Sequence, residues 1–105
     1  MNASLRLPID DEKLGEFCRK WRISELAVFG SVLRDDFGPK SDVDFLATFD
    51  PASRWSLLDH VRMQEELAEI VGRRIDLVTR PAVEKSKNFI RRRAILESAQ
   101  VIHVR

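Results

Sequence analysis

Gly30 and Ser31, followed after ten residues by Asp42 and Asp44, join a turn suited to gripping phosphate with two carboxylates one strand period apart. Glycine lets the backbone turn sharply and approach a phosphate closely, and Ser31 offers a hydroxyl together with the amide of a following helix N-terminus. Arg34 lies one helical turn beyond Ser31, which brings its guanidinium within reach of the same phosphates. Side chains two apart along a strand share a face, so Asp42 and Asp44 stand together while Val43 and Phe45 turn into the core. Carboxylates about 7 Å apart repel by roughly 2 kcal/mol at an effective dielectric of about 20, and a bound divalent cation reverses the sign of that cost.

Asp76 is the candidate third carboxylate, because an acid flanked by Ile75 and Leu77 in an apolar strand needs a reason to be there. Oxygen-only ligands suit Mg²⁺, which is held by one or two carboxylates together with substrate phosphates. Two such ions, about 3.5–4 Å apart, clamp the attacking and leaving oxygens of an in-line phosphoryl displacement. In that scheme Asp42 and Asp44 hold the metals, Asp76 binds one of them and accepts the proton of the incoming hydroxyl, and Gly30, Ser31 and Arg34 hold the phosphates that leave. The chemistry is transfer from a nucleoside triphosphate.

The surrounding pattern supplies elements to carry these residues. Asp10 caps a helix whose Leu14, Phe17, Cys18 and Trp21 form one apolar stripe. Residues 26–29 read as a buried strand ended by Gly30, residues 34–41 as a polar loop, and residues 43–49 as a second strand stopped by Asp50 and Pro51. A helix starting at Ser53 or Ser56 runs to Val71 with Gly72 as its terminator. Its stripe of Leu57, Val61, Leu67, Ala68 and Val71 is interrupted by Gln64. Residues 74–79 form a third strand closed by Arg80 and Pro81, Ser86 caps a last helix to about Ala99, and residues 101–104 form a fourth strand or a docked tail. The order predicts an α/β fold, a small mixed β-sheet covered by helices, in a single domain over residues 1–105.

At 105 residues one modest core is expected, leaving little protein to hold a second substrate, so the acceptor is expected on another chain. The near-balance of 18 basic and 17 acidic residues lacks the footprint of a nucleic-acid binder. No apolar run approaches the ~20 residues of a membrane span, and residues 1–8 lack the apolar core of a signal peptide, so a cytoplasmic protein is expected. The single cysteine, Cys18, excludes an internal disulfide.

Between Leu26 and Val78 the chain resembles the nucleotidyltransferases of the DNA polymerase β type, and most closely the minimal nucleotidyltransferases, the antitoxin partners of HEPN-domain ribonuclease toxins. The likeness rests on Gly30-Ser31-Val32-Leu33-Arg34-Asp35-Asp36, on Ser41-Asp42-Val43-Asp44-Phe45-Leu46, and on the later Arg74-Ile75-Asp76-Leu77-Val78 after Gly72. The departures are Leu33 in place of the usual alanine and Asp35 in place of the usual glycine. The resemblance implies ATP with Mg²⁺ as substrate, transfer of AMP to a tyrosine hydroxyl of a HEPN toxin, and a hetero-oligomer of a type VII-like toxin–antitoxin pair. A binding-only antitoxin that masks the toxin and a small-molecule, antibiotic-modifying nucleotidyltransferase are the alternatives.

Other conspicuous residues have ordinary explanations. Arg91, Arg92 and Arg93 read as a solvated helix face. His60 and His103 lack metal spacing, and Trp55, although able to stack on adenine, reads as a core or staple residue.

Overall fold

The computed structural model describes residues 9–30 and 41–104. Helix α1 (Asp11–Lys20) opens at Asp10, whose carboxylate accepts from the amides of Glu12 and Lys13 at 2.9 and 3.2 Å. Strand β1 (Ile23–Phe29) leads to Gly30, and strand β2 (Val43–Phe49) follows. Helix α2 (Leu57–Val71) starts in a capping box between Ser56 and Asp59 and ends on Gly72 at φ 81°, a left-handed value that glycine adopts without strain. Then come strand β3 (Ile75–Thr79), helix α3 (Arg80–Glu84), helix α4 (Phe89–Ser98) and strand β4 (Gln100–Val104).

The sheet order is β3-β2-β1-β4. Strand β1 is antiparallel to both β2 and β4, whereas β2 and β3 run parallel, as a β-helix-β crossover through α2 requires. The mixed sheet covered by helices is the expected architecture. Helices α1 and α2 cover one face through Leu14, Phe17, Met63 and Leu67, packed on Leu26, Val28, Val43 and Phe45. The opposite face carries a smaller cluster of Ala27, Phe29, Leu46, Val83 and Ile95 beneath α3 and α4.

Several local expectations shift. Strand β1 begins three residues earlier than residue 26, since Ile23 is wholly buried. Residues after Arg80 form a short helix rather than merely closing a strand: the Thr79 hydroxyl caps it and Pro81 fits its first turn. Asn88, not Ser86, accepts from the Arg91 amide and caps α4. In α2 the buried stripe is Met63, Leu67 and Val71, while Leu57 and Val61 lie exposed. Residue 60 and residue 64 explain that rotation, because their side chains are needed at the sheet edge.

Candidate functional site

Asp44 follows Val43 and precedes Phe45, both fully buried under α1 and α2, so its side chain lies on the other face of the sheet with Leu46. It is paired in register with Phe29 of β1 on one side and with Asp76 of β3 on the other. The inward turn of Val43 and Phe45 is as the alternation requires. The antiparallel β1–β2 pairing places Gly30 beside Asp44, and a β-carbon at Gly30 would run into the Asp44 carboxylate. Gly30 also holds φ 77°. Glycine therefore answers two demands there, a left-handed turn and room for an acid.

On the other side, Asp44 and Asp76 are direct neighbours across parallel strands about 4.8 Å apart. Asp76 is exposed on an edge strand, and Asp44 is half-buried. Asp42 lies two residues before Asp44, and Arg74 two before Asp76, so the same register sets them opposite each other. Arg74 Nε stands 3.2 Å from Asp42 Oδ1. The sequence reading missed Arg74, although the period of two along β3 was the signal: a residue sharing Asp76's face must meet the partner of Asp44's neighbour. Ser31 and Arg34 fall outside the described residues.

The edge position of Asp76 is secured from α2. Leu77 sends its amide to Gln64 Oε1 at 3.1 Å, and its carbonyl lies 3.0 Å from His60 Nε2. A carbonyl only accepts, so His60 presents its Nε2–H. An edge strand normally leaves such groups to water or to another chain, whereas here two polar side chains of the covering helix satisfy both. The interruption of the apolar stripe at Gln64 is thus the grip that holds β3, one residue from Asp76.

The arrangement fits a hard divalent cation in its donor chemistry, since it gathers carboxylate oxygens from two adjacent strands and leaves space at Gly30 for one of them. Among the described residues no three acidic, histidine or cysteine side chains are grouped so as to hold a metal ion by themselves. An open set of this kind leaves coordination to be completed by substrate phosphates. A separate cavity of about 430 Å³ lies at the opposite, carboxyl ends of β2 and β3, between Phe49, Trp55, His60 and Arg80. It is remote from the acids. Trp55 packs edge-on against Trp21 at 5.2 Å, the structural role expected of it.

The family model for the nucleotidyltransferase domain matches residues 11–102. This chain is a member of that family. A protein adenylyltransferase, MntA, of Thermococcus cleftensis is 33% identical over 69 residues, covering 66% of this nucleotidyltransferase chain and 68% of the relative. The alignments to two relatives from Methanocaldococcus jannaschii cover 64% and 62% of those proteins, just under two thirds of each. A solved structure described as a minimal nucleotidyltransferase is 29% identical, with a TM-score of 0.65 over 86% of this chain and 85% of its own. The same fold also recurs in the MNT antitoxin of a complex with a tri-AMPylated Shewanella oneidensis HEPN toxin, at 14% identity and a TM-score of 0.59 over 90% of this chain and 70% of the other.

Proposed function

We propose that this nucleotidyltransferase domain transfers AMP from Mg²⁺·ATP to a tyrosine hydroxyl of a HEPN toxin, acting as the antitoxin of the pair. The observation that carries the reading is the pairing of Asp44 with Asp76 in register, beside a glycine whose missing side chain makes room for Asp44. Support for the substrate and partner comes from the Thermococcus relative, named a protein adenylyltransferase, and from the Shewanella complex, whose toxin carries AMP groups.

Asp42, Asp44 and Asp76 would hold Mg²⁺, which when bound neutralises charge developing on the phosphates. Gly30, Ser31 and Arg34 bind the β- and γ-phosphates. The toxin's tyrosine oxygen forms a bond to the α-phosphorus as the bond from that phosphorus to the bridging oxygen breaks. Pyrophosphate leaves with the electron pair, and Asp76 accepts the phenolic proton. Asp76 suits that duty because it is the most exposed of the strand-borne acids and sits at the sheet edge, where an acceptor on another chain can approach.

Incubation with α-labelled ATP, Mg²⁺ and the HEPN toxin proposed as its partner should label that protein. An active preparation that leaves it unlabelled refutes the enzymatic reading. Neutralisation retained by an Asp42→Ala, Asp44→Ala double variant would establish binding-only masking instead, and labelling of an aminoglycoside but not of protein would establish the small-molecule activity.

A further inference from the structure

The whole-chain charge of +1 conceals a sharp separation. Residues 80–93 carry six cations against one carboxylate, and the remainder carries twelve against sixteen, so a segment of net +5 adjoins a body of net −4. Within that segment Phe89 and Ile90, the first two residues of α4, are 67% and 77% exposed. Lys85, Lys87 and Arg91, close to them in the chain, are exposed as well. Arg92 instead donates to the Glu84 and Ser86 carbonyls and fixes the α3–α4 turn, and Arg93 is engaged by Glu97. An exposed apolar pair in a segment rich in exposed cations has the ingredients of a protein interface, an apolar centre with a polar rim.

Position selects this face over the exposed apolar patch of α2. Leu57, Leu58 and Val61 project from α2, which covers the sheet face opposite the carboxylates. Helix α4 lies on the same side as Asp44 and Asp76. Arg91 and Arg92 line a cleft of about 150 Å³ with Val78, which shares its sheet face with Asp76, two residues and about 6.6 Å away along β3.

From this placement we infer that the α3–α4 corner is the docking face for the acceptor protein, and that the partner presents an apolar spot bordered by carboxylates. The inference rests on the proposed transfer to a protein hydroxyl and adds which face receives that protein. A single-stranded polynucleotide would share the attraction to cations but uses aromatic platforms for successive bases, whereas Phe89 here is accompanied by an aliphatic residue that is more exposed than itself.

The test is capture of the purified HEPN toxin proposed as its partner by the full chain, followed by surface plasmon resonance. Phe89→Ala and Ile90→Ala together should accelerate dissociation at least about tenfold, as loss of a central apolar anchor does. Lys85→Glu with Arg91→Glu should slow association about tenfold at low salt, with the difference vanishing as salt is raised. Both variants should bind Mg²⁺·ATP with wild-type affinity. Capture that stays within twofold of wild type in both variants overturns this face while leaving the proposed function standing, as does loss of capture on Leu57→Ala, Leu58→Ala instead. No capture by the wild-type chain overturns both. Unchanged protein capture with tight binding of a fluorescein-labelled single-stranded RNA, lost in the same variants, overturns it in favour of a polynucleotide.

Discussion

Replacing Asp76 by asparagine should stabilise the metal-free protein while destroying its activity. Asp44 and Asp76 are register partners, so their carboxylates stand on the order of 5 Å apart. At that separation repulsion is about 3 kcal/mol for an effective dielectric of 20 and about 0.8 kcal/mol in water. Asp76 is exposed, which places the pair near the watery limit, at about 1 kcal/mol. For a domain of this size that corresponds to a rise of roughly 3–6 °C in Tm on removing the charge. Mg²⁺ works in the opposite direction: at ten times its Kd it adds about 1.4 kcal/mol to a protein whose acids it joins. Thermal unfolding in chelator and in Mg²⁺ with a non-hydrolysable ATP analogue therefore separates the two effects. Asp76→Asn should melt higher than wild type in chelator, gain less from Mg²⁺, bind the nucleotide and transfer almost no AMP. A lower Tm in chelator together with an undiminished Mg²⁺ gain would refute the juxtaposition of charges on which the site is built.

Gly30→Ala should cost about 1–2 kcal/mol for the left-handed backbone and reduce transfer far more than that loss explains, because the new methyl displaces the Asp44 carboxylate; denaturant melts beside single-turnover labelling check both. Gln64→Leu removes the acceptor of the part-buried Leu77 amide and should cost about 1–3 kcal/mol, with faster amide exchange in β3. Glu66 accepts from Lys20 at 2.7 Å and from the Trp21 indole at 3.1 Å; burial pushes its pKa up, yet these hydrogen bonds together hold it below the ordinary value of 4.5. A depressed folded-state pKa gives stability that is present above 4.5 and lost as pH falls through the lower folded value, so Glu66→Gln should destabilise by up to about 1 kcal/mol at pH 7 and flatten the acid limb of the stability curve. Burial pushes the Cys18 thiol up to about 12, so iodoacetamide at pH 8 should modify it only on unfolding.

Much of this molecule follows from short-range rules. The alternation at Val43, Asp44 and Phe45 dictates which way each faces, Asp10 and Ser56 start helices through their own side chains, and Gly72 ends one because its φ is positive. The short helix after Thr79 was hidden because five residues carry too little periodicity to reveal it. The exposure of Leu57 and Val61 was hidden because helical spacing defines a stripe but not which of two overlapping stripes the sheet will accept. Gln64 looked like a flaw in that stripe, and only the position of β3 shows it bonding the Leu77 amide.

The sequence by itself determined the chemical inventory: a glycine before a serine, two acids flanking Val43 at the start of a strand, and a third acid in an apolar run. The physical reason is that strand alternation and turn geometry act over a few residues. Tertiary structure decided that Asp76 lies beside Asp44 and not one residue out of register, that Arg74 meets Asp42, and that α4, with Arg91 and Arg92, lies on the acids' side of the sheet. Those relations depend on a crossover through α2 and on the pairing of strands roughly thirty residues apart, and no local preference encodes them.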